Sequence, residues 1–158
     1  MGGNTLMDSD MKRSIILDNY QDTSNRKIPD NVDDYIKINS NNVSCIDNID
    51  IYVKIEDNKI VDIKYYGEAC VIAISSTSIL SKMLIGKTMD EARKILENYF
   101  NMIEEREYDK NLLGEAQVYD DIYKQPARKT CATLFARGIG KMFNEENSGS
   151  LSNSVGKQ

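Results

Sequence analysis

Two short runs of alternating character constrain this chain more than any other feature in it. Ile49, Ile51, Val53 and Ile55 alternate with Asp50, Tyr52, Lys54 and Glu56; after a polar break, Val61, Ile63 and Tyr65 alternate with Asp62, Lys64 and Tyr66. Period two marks a strand with one buried face, and the break at Asp57-Asn58 predicts an antiparallel hairpin. A two-residue loop there pairs Glu56 with Lys59 and sets Val53 opposite Asp62, which mixes the two faces. A three-residue loop pairs Val53 with Val61 or Ile63 and keeps the apolar side chains together, with Asn58 suited to its left-handed position. Either permitted register, extended down the hairpin, brings Cys45 opposite residue 69 or 71. Cys45 and Cys70 then meet at the open end, although 24 residues separate them in sequence.

The rest of the chain supplies a third strand and a cover. Tyr35-Ile36-Lys37-Ile38-Asn39 alternates and is expected as an outer partner of the hairpin. A helical stripe runs from about Met11 to Thr23, with Ile15, Ile16, Asn19 and Tyr20 on one side. From Cys70 to Leu84 the apolar positions fit a largely buried helix, ended by Gly86, with Cys70 at or near its N-terminus. Thr88-Met89-Asp90-Glu91 is a capping box opening a helix whose inner face holds Ala92, Ile95, Leu96, Tyr99, Met102 and Ile103. Asn111 to Tyr123 reads equally as a short helix or an ordered loop. Pro126 suits the first turn of a helix running to about Phe143 that carries Cys131 in its second turn. The expected architecture is α+β, a small three-stranded antiparallel sheet covered on one face by helices. Residues 11–143 form the domain, with a disordered N-terminus over 1–10 and a disordered tail over 144–158.

Composition narrows the function classes. A chain of 158 residues holds one real core, and its net charge of −5, without a block of Lys or Arg, argues against nucleic acid and anionic membrane as partners. No apolar run approaches a membrane span, so a cytoplasmic protein is expected. Three cysteines cannot all pair within one chain, and a reducing compartment favours thiol or metal chemistry over disulfides. There is no histidine. Any metal site must therefore be built from thiolates and carboxylates, and Ser-His or Cys-His catalysis is excluded.

The cysteines are the residues to watch. Their separations of 25 and 61 positions match neither a zinc finger nor a thioredoxin motif, and three buried, inert thiols would satisfy the same sequence. Two details favour a site: the hairpin register brings Cys45 and Cys70 together, and Asp47 stands two positions after Cys45, on the same side of an extended segment. Cys45, Asp47, Cys70 and Cys131 together would make a four-coordinate set of the kind zinc accepts. Gly138-Ile139-Gly140-Lys141 lacks the Walker spacing and a preceding strand, so helix packing explains it better than phosphate binding. Of Tyr65 and Tyr66, one ring is expected in the core and one on the surface.

Three segments resemble the motifs of a known family. Ser44-Cys45-Ile46-Asp47, Gly67-Glu68-Ala69-Cys70 followed by Ile72, Ala73, Ser75 and Ser76, and Pro126-Ala127-Arg128-Lys129-Thr130-Cys131-Ala132-Thr133-Leu134 are similar to those of the SufU/IscU scaffold family, with its NifU N-terminal-like fold. The resemblance spans roughly Asp18 to Phe143 with the motifs in order. It is closer to the SufU branch, because IscU proteins place a histidine just before the third cysteine where this chain has Thr130, and because the segment from Met102 to Pro126 looks like the extra stretch of SufU proteins. Ile46 departs from the family, which usually has glycine between Cys and Asp.

The resemblance implies iron–sulfur cluster assembly. A SufU-type protein is a zinc-dependent sulfurtransferase that accepts persulfide sulfur from a pyridoxal-phosphate cysteine desulfurase and serves downstream iron–sulfur assembly proteins. Carried onto this chain, zinc falls to Cys45, Asp47, Cys70 and Cys131, with Cys45 as persulfide acceptor and Arg128 assisting nearby. The alternatives are a scaffold that assembles and transfers a [2Fe–2S] cluster on the same residues, and a non-catalytic, zinc-bound activator of the desulfurase.

Overall fold

The computed structural model describes residues 7–43 and 46–147. Strands β1 (Ile36–Asn41), β2 (Asn48–Glu56) and β3 (Lys59–Glu68) form one sheet in the order β1-β2-β3, both pairings antiparallel. The first strand is the outer partner that its alternation implied, and Ile49, Ile51, Val53, Ile63 and Tyr65 are buried. Tyr66, the neighbour of Tyr65, is 54% exposed.

The hairpin turn corrects one expectation. Asp57 (φ 53°) and Asn58 (φ 64°) form a two-residue turn with both residues left-handed, so Glu56 does pair with Lys59. The shift that a three-residue loop would have supplied is supplied instead inside the ladder. Ile55 pairs with Ile60 but Lys54 pairs with Asp62, which leaves Val61 as the extra residue of a bulge. Beyond it Val53 meets Ile63 and Ile51 meets Tyr65, one of the two permitted registers. Val61, expected inside, is therefore turned outward, and Ile60 is buried in its place.

Among the described residues, five α-helices follow from local signals and from the sheet they cover. Helix α1 (Ser9–Gln21) is capped by the Asp8 carboxylate, which accepts from the Met11 N–H, so Ser9 and Asp10 belong to its first turn rather than to a disordered terminus. Its weak apolar stripe is supplemented by polar anchors. Buried Asn19 accepts through Oδ1 from Ser78 Oγ (3.0 Å) and Lys82 Nζ (2.9 Å), and Lys12 pairs with Asp120 at 2.6 Å. Helix α2 (Val71–Leu84) is buried over most of its circumference; Ser76 and Thr77 satisfy their hydroxyls on the Ala73 carbonyl, which lets them occupy the interior. Helix α3 (Met89–Ile103) opens with the expected capping box. The link between α2 and α3 is zipped onto the hairpin tip by bonds between Ile60 and the backbone of Gly86 and Lys87, and from the Met89 N–H to the Asn58 carbonyl.

The ambiguous stretch resolves into three 3₁₀ turns, Lys110–Leu112, Gly114–Tyr119 and Ile122–Lys124. They bury Leu113, Ala116, Val118, Tyr119 and Ile122. The Tyr119 hydroxyl bonds that of Ser75, and its ring meets Tyr99 edge-on.

The single helix expected after Pro126 is two: α4 (Pro126–Ala132) and α5 (Leu134–Asn147), broken at Thr133. The cause is tertiary. Tyr99 Oη donates to the Ala132 carbonyl (2.7 Å), Thr133 Oγ1 turns back onto the Lys129 carbonyl, and Ser40 Oγ takes the Leu134 carbonyl at 2.6 Å. The Ala132 and Leu134 carbonyls thus take donors from other elements, while the Lys129 carbonyl keeps its helical bond from the Thr133 N–H (3.1 Å). Helix α5 lies close on the sheet at Gly138, where a Cβ would stand 2.8 Å from Ile51 Cδ1 and 2.9 Å from Ser40 Cβ, so packing does explain this glycine. The helix runs on to Asn147, past the point where a disordered tail was expected. Residues 1–6 and 148–158, the rest of the expected disordered ends, lie outside the described residues, as do Ser44 and Cys45.

Candidate metal centre

The sheet ladder ends at the pair Asn48–Glu68, and the site begins where it stops. Just before that end, Gly67 (φ 145°) faces Ile49 so closely that a Cβ would lie 2.3 Å from the Asn48 carbonyl oxygen. Only glycine tolerates both that dihedral and that approach. Beyond it Cys70 becomes the N-cap residue of α2 in extended backbone (φ −71°, ψ 172°). The next link between the two strands is made by a side chain: Asp47 Oδ1 accepts from the Cys70 N–H at 2.9 Å. Asp47 is 1% exposed, a position a carboxylate occupies only with strong partners.

Cys131 reaches the same point from the last turn of α4. The Asp47 carboxylate and the sulfurs of Cys70 and Cys131 all lie within 4.8 Å of one another. Three of the four residues proposed from sequence thus converge, and the fourth, Cys45, is outside the described residues. Burial pushes the Cys131 thiol up to about 12, and Cys70 and then Asp47 push it in the same direction. A thiol that resists ionising beside a buried carboxylate is one a divalent cation would favour, since the ion both neutralises the carboxylate and holds the thiol deprotonated. Two sulfurs and one carboxylate oxygen are ligands that zinc accepts, and the donor set fits that ion.

Two further residues hold this cluster, and motif spacing did not disclose them. Asn42 donates its backbone N–H to the Asp47 carbonyl (3.0 Å) and its Nδ2 to Asp47 Oδ2 (3.0 Å) and to the Thr130 carbonyl (3.3 Å). Arg137 donates from Nη2 to Asn42 Oδ1 (2.5 Å) and to the Thr130 carbonyl (2.7 Å), and from Nε to Thr133 Oγ1 (3.1 Å). Burial lowers the Arg137 pKa from its usual value, and the neighbouring Cys131 and Asp47 partly oppose that shift. A continuous helix would turn residue 137 about 120° away from residue 131, so the break at Thr133 conceals this arginine from a helical-face argument. Arg128, chosen from sequence as the assisting cation, is exposed on α4 one turn before Cys131. The guanidinium tied into the cluster is that of Arg137.

Fold and site define a class: a small α+β domain in which one end of a three-stranded sheet and two helices bring cysteines and an aspartate to a single point. The chain belongs to the NifU-like N terminal domain family, whose family model matches residues 11–132. It is 29% identical over 138 residues to the zinc-dependent sulfurtransferase SufU of Bacillus subtilis (strain 168), covering 87% of this chain and 92% of the relative. It is 33% identical over 95 residues to the iron–sulfur cluster assembly scaffold protein IscU of Streptococcus pyogenes serotype M1, covering 60% of each. In fold it is similar to the crystal structure of a protein described as an iron–sulfur cluster assembly scaffold for the SUF system of Fervidobacterium islandicum AW-1. The TM-score is 0.76 and the identity 29%, with 84% of this chain and 97% of that one covered. The sheet with its helical cover agrees with the architecture expected from sequence. Among the described residues no helix is long and apolar enough to cross a membrane.

Proposed function

We propose that this protein is a zinc-dependent sulfurtransferase of iron–sulfur cluster assembly that takes persulfide sulfur from a pyridoxal-phosphate cysteine desulfurase. The observation that carries the reading is the convergence of Asp47, Cys70 and Cys131 within 4.8 Å, with Asp47 two positions after Cys45 in sequence. Zinc held by Cys45, Asp47, Cys70 and Cys131 would supply the charge that keeps thiols ionised at neutral pH. The Cys45 thiolate attacks the terminal sulfur of the donor persulfide; a sulfur–sulfur bond forms on Cys45, the donor's breaks, and the donor cysteine leaves as a thiolate. Arg128, exposed one turn before Cys131, would assist by attracting the incoming anionic sulfur. Asp47, anchored by the Cys70 N–H and Asn42 Nδ2, would hold its position while the Cys45 thiolate exchanges partners.

The match to relatives named as IscU scaffolds supports a second reading, in which the same residues assemble a [2Fe–2S] cluster; the absence of any histidine weighs against it. Metal analysis separates the two: colourless protein holding one zinc supports the relay, and brown protein absorbing in the visible supports the scaffold. A Cys45→Ala variant that keeps fold and zinc but no longer raises desulfurase turnover supports the acceptor role. Full stimulation by that variant would leave the protein as a zinc-bound activator only.

A further inference from the structure

We infer that Arg137 is the positioning residue of the metal centre, setting Asp47 against Cys131 through Asn42 and the Thr130 carbonyl. The inference rests on the metal-binding part of the proposed function and adds to it a residue that no motif contains. Asp47 immediately precedes β2 and Cys131 lies at the end of α4, and sheet pairing does not fix one against the other. The Asn42 carboxamide does, and the half-buried Arg137 guanidinium holds that carboxamide in place. Its Nη2 bonds both the Asn42 carboxamide oxygen and the Thr130 carbonyl, while Asn42 Nδ2 bonds Asp47 Oδ2 and that same carbonyl. Thr130 immediately precedes Cys131, so the clamp grips the backbone next to one ligand and the carboxylate that is another.

The break at Thr133 makes this possible. The Thr130 carbonyl lies in the last turn of α4, where intrahelical donors run out, and two side chains supply them. Arg137 also bonds Thr133 Oγ1 through Nε, so its planar fork spans the break itself. A lysine could bring the charge but not several donors in one fixed plane. Partners that orient metal ligands are commonly worth ten- to a hundredfold in affinity.

The test is zinc affinity by chelator competition, together with the absorption spectrum of the cobalt-substituted protein. Arg137→Gln should weaken zinc binding about ten- to a hundredfold and shift the cobalt ligand-field bands, because the Asp47 and Cys131 donors lose their mutual setting. Asn42→Ala should give a loss of similar size, and the double variant should be no worse than either single one, because both act through one chain of bonds. Arg137→Lys should recover only part of the loss. Circular dichroism of the metal-free variants establishes that each is folded, and the Asn42 and lysine variants carry the test if the glutamine one is not. Wild-type affinity and an unchanged cobalt spectrum in Arg137→Gln would overturn the inference, as would full rescue by lysine or losses that multiply in the double variant. If the unmodified protein takes up neither zinc nor cobalt, this inference and the proposed metal centre fall together; binding that is indifferent to Arg137 and Asn42 removes this inference alone.

Discussion

Replacing Gly67 with alanine tests the connection between sheet and site most directly. The residue sits at φ 145° in β3, and an added Cβ would lie 2.3 Å from the Asn48 carbonyl oxygen and 2.9 Å from Ile49 Cα. Those neighbours are backbone, so no rotamer change relieves the contact. Holding a non-glycine residue in that region costs about 1–3 kcal/mol, and overpacking adds about 1–3 kcal/mol. A combined loss of about 4 kcal/mol is a large share of the ~5–15 kcal/mol by which a domain is stable. With a urea slope of about 2 kcal/mol/M, the unfolding midpoint should fall by roughly 2 M, read by circular dichroism on metal-free protein. Zinc affinity should fall as well, because the strained pairing lies just inside the segments that deliver Asp47 and Cys70. Gly140→Ala is the control: its Cβ would meet nothing within 4 Å, and the change should stabilise α5 by about 0.5–1 kcal/mol. A Gly67→Ala protein within about 1 kcal/mol of the wild type, with zinc binding intact, would refute the reasoning.

Asp47→Asn keeps the shape but leaves one acceptor oxygen for the two donors, Cys70 N–H and Asn42 Nδ2, that the carboxylate now serves. It should cost about 1–3 kcal/mol in urea unfolding and weaken zinc binding at least tenfold in chelator competition. Because the folded Cys131 thiol is pushed up to about 12, it should alkylate slowly with iodoacetamide at pH 8 in metal-free protein. An unfolded thiol ionises from about pH 8.5, so the metal-free fold should lose thermal stability as pH rises from about 9 towards 12, and a flat profile would count against the raised value. Thr88→Ala removes the acceptor for the Glu91 N–H and should cost about 1 kcal/mol without altering metal affinity.

Much of this architecture can be read along the chain because its signals are short-range. Alternation around Ile51 and Val53 marks a strand wherever it is placed, the Thr88–Glu91 box satisfies a helix start with neighbours three residues apart, and Pro126 needs only its own missing N–H to suit a first turn. The hairpin register carries to the open end, where it predicts that Cys45 meets Cys70; Cys45 lies outside the described residues, and the structure places Asp47, two positions on, against the Cys70 N–H.

Long-range contacts decided the rest. The Val61 bulge and the two-residue turn give the same pairing of Val53 with Ile63 as one of the longer-loop registers, and only the assembled sheet distinguishes these solutions. Tyr99 is 33 positions from the carbonyl it bonds beside the break at Thr133, and the bond from Arg137 to Asn42 spans 95. Periodicity reports which way a side chain faces within its own element. It carries no information about a donor arriving from another element, so the cysteines and the aspartate could be named in advance while the arginine that sets two of them in place could not.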